Sequence, residues 1–338
     1  MVTMSISTTI KYMDKQAKIY VAGHHGLVGS ALVRALDRTG YTNLLVRSRA
    51  DLDLTDQAAV RAFFAEERPE FVLLAAAKVG GITANSNSPA SFIYENVAIQ
   101  TNVIDAAFRS HTDRLLFLGS SCIYPRCAPQ PLKEEYLLSG SLEPTNRPYA
   151  IAKIAGIEMC WAYNRQYGTN FLAAMPTNLY GPSDNYNLST SHVIPALLRK
   201  IVQAKANHEP VVTIWGSGAP RREFLHSDDL AAASLFLMNL SPDHLEALLR
   251  SDSNPPIINI GSGEDLTIYE LAALIGELVG FEGDFSFDNT KPDGTPRKLL
   301  DVTRLKALGW QPQIGLREGL QRTLNDLVAE IEEVPILK

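Results

Sequence analysis

Cysteine is scarce in this chain: Cys122, Cys127 and Cys160 are the only three in 338 residues. Three thiols cannot build a disulfide framework, and no CxxC pair or Cys/His cluster offers ligands to a metal. A stapled secreted fold and a zinc module are thereby excluded, and a reducing, cytoplasmic setting is expected. Long apolar runs are missing too, since none approaches the roughly 20 residues of a membrane span. Positive charge is not in excess: 31 Lys and Arg stand against 37 Asp and Glu, a net charge of -6. That balance argues against nucleic acid and anionic membranes as partners. An anionic small substrate would need arginines and lysines placed locally. The opening stretch MVTMSISTTIKYMDKQ lacks the apolar core of a signal peptide and reads as a disordered leader over residues 1–16.

What is present is a globular composition, 46% hydrophobic and 20% charged, with no repeat or low-complexity tract. The length suits one large domain and a smaller one. Strand-like runs at 18–23, 43–48, 71–77, 114–121 and 170–177 alternate with helical runs at 27–40, 55–66, 89–109 and 149–168. Gly40 and Gly168 close two of those helices. Strands separated by helices imply right-handed crossovers, hence an α/β fold with a Rossmann-type, doubly wound parallel sheet. Beyond Asn178 the pattern loosens. Helices are expected over 192–206, 227–239 and 267–279, with strands at 211–216 and 257–261. The stretch GDFSFDNTKPDGTPRKLLD (283–301) is dense in turn signals and reads as a loop over a site. The expected layout is a nucleotide-binding domain over 17–178 and a smaller C-terminal α/β substrate domain over 179–338, some of whose segments return to the first sheet.

The first strand leads into GHHGLVG, where Gly23, Gly26 and Gly29 alternate with His24, His25, Leu27 and Val28. A turn free of side chains at a helix N-terminus suits a pyrophosphate. Alone the spacing is weak; in the first strand–helix–strand unit it points to a dinucleotide. The second strand ends at Arg47, with Arg49 close behind, where an acidic residue would otherwise meet the ribose hydroxyls. A guanidinium pairs instead with a 2′-phosphate, so NADPH is the expected cofactor. In NRPYAIAK, Tyr149 and Lys153 share one helix face, and a nearby ammonium is expected to lower the phenol's pKa beside a carbonyl. YxxxK is a common surface spacing. Behind a glycine loop and a strand ending in GSS, whose Ser120 can hydrogen-bond a substrate oxygen, it points to hydride transfer on a sugar or alcohol.

These stretches are similar to the extended short-chain dehydrogenase/reductases over about 18–310. The likeness includes AAAKVGGI (75–82), FLGSSCIYP (117–125), LEPTNRPYAIAKIAG (142–156), MPTNLYGP (175–182), SHVIPALLRK (191–200) and KPDGTPRKLLDVTRL (291–305). GSSCIYP with SHVIPALL resembles the family's members that epimerise C3 and C5 of a GDP-linked 4-keto-6-deoxymannose and reduce its C4 ketone with NADPH. The resemblance implies Tyr149, Lys153 and Ser120 for reduction, with Cys122 as base and His192 as acid on opposite faces of the ring. It extends cofactor contacts to Leu118, Gly119, Ser121, Pro176, Thr177, Asn178, Leu179 and His192, and assigns the GDP-sugar to Lys200, Trp215, Arg222 and Asp293. It also implies a homodimer whose core is built from the helices at 89–109 and 149–168. Two departures stand out. The family usually carries arginine at His25, which leaves the 2′-phosphate to Arg47 and Arg49, and the match is loose over 240–256, read as a surface loop. A 4-epimerase, a 4,6-dehydratase and a silent NADP sensor remain alternatives. A dehydratase would be expected to carry glutamate where this chain has Cys122, and a sensor would have lost Tyr149 or Lys153.

Overall fold

The computed structural model describes residues 12–188, 190–250 and 255–333. Its first half alternates strand β1 (Ile19–Ala22), helix α1 (Leu27–Arg38), β2 (Leu44–Leu45), α2 (Gln57–Glu67), β3 (Phe71–Leu74), α3 (Ile82–Asn87), α4 (Pro89–Arg109), β4 (Arg114–Leu118), α5 (Arg147–Tyr167) and β5 (Phe171–Pro176). The second half adds β6 (Asn178–Tyr180), α6 (Val193–Ala206), β7 (Val211–Trp215), β8 (Arg221–His226), α7 (Ser227–Met238), α8 (Pro242–Leu249), β9 (Ile257–Ile260), β10 (Asp265–Thr267), α9 (Ile268–Val279), β11 (Asp284–Asp288), β12 (Arg297–Lys298), α10 (Thr303–Ala307) and α11 (Leu316–Glu333).

The main sheet is parallel, in the order β2-β1-β3-β4-β5-β9. Its strands other than the edge strand β2 are buried on both faces, which is why they read as continuous apolar runs. One face packs Leu32 and Leu36 of α1 against Leu230 and Leu237 of α7. The other packs Phe64, Val103 and Ile157 of α2, α4 and α5. Each such side chain, once fully buried, contributes about 1.5–3 kcal/mol. The chain leaves β1 toward β2 and recrosses to β3, so the strand order switches beside β1. That is where a crevice opens at the carboxyl ends of the strands. The second half supplies β9 and α7 to this unit. A separate apolar cluster, with Leu198, Ile201, Ile214, Leu271, Ile275 and Leu320, fills a smaller lobe of α6, α9, α11 and β7.

Three stretches differ from the sequence reading. Residues 1–11 lie outside the described chain, but the expected leader ends early: Met13 is buried and its carbonyl accepts from the Tyr41 hydroxyl at 3.4 Å. Within 240–256, Ser241 caps α8, whose Leu245 and Leu249 are buried, so the apolar pair converts a loop into a helix. Residues 251–254 lie outside the described chain. The supposed loop at 283–301 contains β11, paired in parallel with β7 from Asp284↔Val211 to Asp288↔Trp215, and β12, paired with β8. The longest loop left in the stretch is 289–296. Among the described residues no helix is long and apolar enough to cross a membrane, and no group of three or more His, Cys, Asp or Glu could hold a metal.

Candidate active site

The cofactor end is built by the turn after β1. Gly23 sits at φ +87, and a Cβ there would lie 2.8 Å from the Ala76 backbone; one on Gly29 would strike the Gly23 carbonyl oxygen. Close approach of loop, helix and strand therefore requires both glycines. The N-cap of α1 is Gly26, and no side chain caps the helix. Its first N–H groups are open to an anion, so the loop fits a dinucleotide pyrophosphate. The His24 and His25 rings lie with centres 3.9 Å apart, tilted by 40°. Burial, then His25, lower the His24 pKa, against a weaker pull from Asp51.

Arg47 is placed differently from its neighbour. Its guanidinium pairs with Glu67 at 2.7 Å, donates to the Val46 carbonyl and lies over the Phe63 ring. The carboxylate ending α2 thus holds Arg47 on one side of its guanidinium. Arg49 is largely exposed and pairs more loosely, with Glu95 at 3.6 Å.

At the end of β4 the chain brings Ser120, Tyr149 and Lys153 together. Helix α5 can lie close to β4 because residue 156 is glycine; a Cβ there would lie 2.5 Å from the Phe117 ring. Lys153 is 3% exposed and donates to the Leu118 carbonyl at 2.8 Å. Burial lowers its pKa to about 7. The Tyr149 hydroxyl hydrogen-bonds Ser120, and its pKa is raised well above the usual phenol value, by burial first and then by Cys122. The sequence reading expected the ammonium to lower it. In this crevice desolvation wins, which keeps the phenol protonated and suits a proton donor.

Ser120 also accepts from the Cys122 amide at 3.3 Å, holding a short turn, Ser121–Ile123, against the strand end. The Cys122 sulfur is half-buried and meets two donors: Asn146 Nδ2 at 3.1 Å and Lys298 Nζ at 3.4 Å. His192 is the N-cap of α6, its side chain reaching solvent in the open cleft without capping the helix. The protein around it and the charge of Lys298 lower its pKa. The Lys298 ammonium thus touches Cys122, and its charge acts on His192. Cys127 is exposed and Cys160 buried on α5. Pro176, Thr177, Asn178 and Leu179 cross from β5 into β6, where Thr177 Oγ1 and Asn178 Nδ2 donate to the Glu223 carbonyl and tie the sheet to β8.

The outer end of the cleft holds Trp215, half exposed, with the Lys200 and Lys291 ammoniums 5.2 and 5.4 Å from its ring centre. Arg222 donates to the Arg221 and Asp293 carbonyls. Asp293 was expected to receive donors from sugar or guanine. Its carboxylate accepts the Ser217 amide and hydroxyl, both at 2.8 Å, which fastens the loop 289–296 to the turn after β7. Lys291, Lys298 and Asn146 are the site residues that sequence reasoning missed. All three lie in stretches it quoted, and what singles them out is contact across distant segments.

A glycine cradle feeding a Ser–Tyr–Lys cluster at the switch point defines a dinucleotide-dependent oxidoreductase or epimerase site. The chain belongs to the NAD dependent epimerase/dehydratase family, whose family model matches residues 19–261. It is 56% identical to GDP-L-fucose synthase 1 of Arabidopsis thaliana over 92% of this chain and 93% of that one. It is also 56% identical to GDP-L-fucose synthase of Escherichia coli (strain K12), over 92% of this chain and 96% of that one. Among solved structures, a GDP-L-fucose synthetase from Naegleria fowleri bound to NADP is similar with a TM-score of 0.84 at 27% identity, covering 96% of this chain and 97% of that one.

Proposed function

We propose that the protein converts GDP-4-dehydro-6-deoxy-D-mannose to GDP-L-fucose, inverting C3 and C5 and then reducing the C4 ketone with NADPH. One observation carries the reading: Cys122, in contact with Lys298 whose charge also acts on His192, lies beside the Ser120, Tyr149 and Lys153 cluster. A plain ketoreductase needs only the last three. The names of the 56%-identical relatives support the same substrate and product, and the NADP-bound neighbour supports the cofactor.

NADPH, held over Gly23–Gly29, supplies the hydride. Cys122 accepts the proton from the carbon beside the ketone, and the electron pair moves onto the C4 oxygen, where Ser120 hydrogen-bonds the enolate. His192 returns a proton on the opposite ring face, completing inversion. In the reduction Tyr149 gives its proton to the C4 oxygen as it becomes an alkoxide. Lys200, Lys291 and Arg222 meet the diphosphate, with Trp215 as a flat wall. Incubation with the 4-keto sugar nucleotide and NADPH, followed by NMR of the product, tests the whole scheme. GDP-L-fucose is expected; a product with C3 and C5 unchanged rejects the epimerase half, and unconsumed NADPH rejects the reading.

The exposure of Arg49 and its looser ion pair support it as the discriminator of the 2′-phosphate. Arg49→Ala should reduce the preference for NADPH over NADH by about tenfold or more, as a charge-assisted pair contributes roughly 1.5–3 kcal/mol. Arg47→Ala should change it less. Titration of both cofactors checks this, and equal effects of the two substitutions would refute it.

A homodimer through α4 and α5 completes the reading. Both helices keep large apolar side chains outside the core, with Tyr94, Ile151 and Tyr167 at 68%, 38% and 44% exposure. Tyr94→Glu should shift the protein toward monomer in sedimentation velocity, and an unchanged dimer mass would place the interface elsewhere. The three unpaired cysteines suit the cytoplasm.

A further inference from the structure

Around the Cys122 sulfur the side chains of two distant segments converge. Asn146 precedes α5 as its N-cap residue, a position where asparagine ordinarily turns its side-chain oxygen onto the helix's free N–H groups. Here it makes no cap. Its amide nitrogen donates to Sγ at 3.1 Å, and its oxygen is buried with no hydrogen-bond partner among the described residues. The group is oriented for the sulfur at the expense of the helix. From the other side comes Lys298, on a two-residue strand whose register sets it opposite Arg222. Its ammonium reaches Sγ at 3.4 Å, while the preceding Arg297 turns away to pair with Asp265.

We propose that Asn146 and Lys298 form a two-donor cradle that holds Cys122 in its thiolate form, and that both are positioning residues for proton abstraction. The proposal rests on the epimerase reading above. A thiol presents one hydrogen of its own and is a weak acceptor, whereas a thiolate accepts several donors; two donors converging on one sulfur match the ionised form. The charged groups facing the sulfur are consistent with this. Lys298 and Arg222 come from β12 and β8, Tyr149 from α5, and Glu143, already paired with Arg126, from the segment before α5. The charge of Lys298 also acts on His192. One ammonium therefore acts on both members of the proton-transfer pair, favouring a charged sulfur and an uncharged imidazole until an anionic substrate arrives.

The test uses the full chain and compares two of its own thiols. Iodoacetamide alkylation of Cys122 and of exposed Cys127 is followed by peptide mass spectrometry from about pH 6 to 10, a range that brackets the ordinary thiol. Lys298→Met should move the Cys122 profile up by about one pH unit, slowing its alkylation at pH 7 by about tenfold. The Cys127 profile should stay in place. Lys298→Arg, which keeps the charge, should restore most of the rate, and Asn146→Leu should give a smaller shift in the same direction. The His192 imidazole, followed by NMR, should also titrate at higher pH in Lys298→Met, because a repelling cation has gone. An unshifted Cys122 profile in either folded variant, Lys298→Met or Asn146→Leu, overturns the cradle. Deuterium exchange at C3 and C5, measured on the same proteins, separates the two claims. A shifted alkylation profile with no exchange even in the parent protein upholds the cradle and removes the epimerase reading. Normal exchange with an unshifted profile removes only the cradle.

Discussion

Cys122→Ser should stop solvent deuterium from entering C3 and C5 of the sugar while leaving the fold and NADPH binding intact. The substitution keeps the size of the side chain and an atom that can accept from Asn146 and Lys298. What it removes is a group able to take a proton near neutral pH, since a hydroxyl ionises far above a thiol. A positioned general base contributes about 10²–10⁴-fold, and exchange should fall by that factor. The position is half-buried at a strand end, so a sulfur-to-oxygen change costs little packing. With epimerisation blocked and the Ser120, Tyr149 and Lys153 cluster untouched, hydride should still reach the unaltered ketone, giving a GDP-6-deoxyhexose with its original C3 and C5. His192→Asn should behave differently, allowing some exchange on the face that Cys122 serves while preventing inversion. If Cys122→Ser made GDP-L-fucose at the parent rate with full deuterium at both carbons, the thiol would be packing and nothing more.

Much of this was legible in the sequence because the first half obeys local rules. Strands buried on both faces appear as apolar runs, glycines end helices, and the GxxGxxG turn announces itself by spacing. The later strands hide for a physical reason. Phe285 and Phe287 alternate as β11 requires, but they sit among Asp, Asn, Lys, Pro and Gly, and their partner β7 lies about seventy residues away. In β8 the run Arg221–His226 begins with two arginines that serve partners at the cleft, so it does not read as a strand. Helix α11 carried a usable signal, with Leu320, Leu324 and Leu327 on one buried face. Site residues divide the same way. Ser120, Tyr149 and Lys153 follow from motif spacing, whereas Lys298 reaches Cys122 across 176 residues. The pairing of Arg47 with Glu67, twenty residues on, was hidden for the same kind of reason. Long-range charge pairing has no local period to read.

Tyr149→Phe should separate the two halves of the reaction in the opposite sense. The variant should consume NADPH about 10²–10⁴-fold more slowly, the span expected for loss of a positioned acid, and release the epimerised 4-keto sugar. The reason lies in what each step asks of the C4 oxygen. During deprotonation by Cys122 that oxygen becomes an enolate, which needs a hydrogen bond, and Ser120 still provides one. During reduction it becomes an alkoxide, which needs a proton, and Tyr149 is the hydroxyl in the cluster placed to give it. Burial holds the phenol above its usual pKa, so it carries that proton until the alkoxide forms. Ser120 cannot substitute, because its hydroxyl is no more acidic than the sugar alcohol it would protonate. Phenylalanine also preserves the ring contact with Phe92 and the nearby Lys153 ammonium, which donates to Leu118 independently of the phenol. Exchange at C3 and C5, read by NMR in deuterated buffer, should therefore outlast NADPH oxidation, read by absorbance, by at least about a hundredfold in relative rate. Equal losses in both readouts would mean that the hydroxyl only supports the crevice, and undiminished NADPH oxidation would mean that another group is the acid.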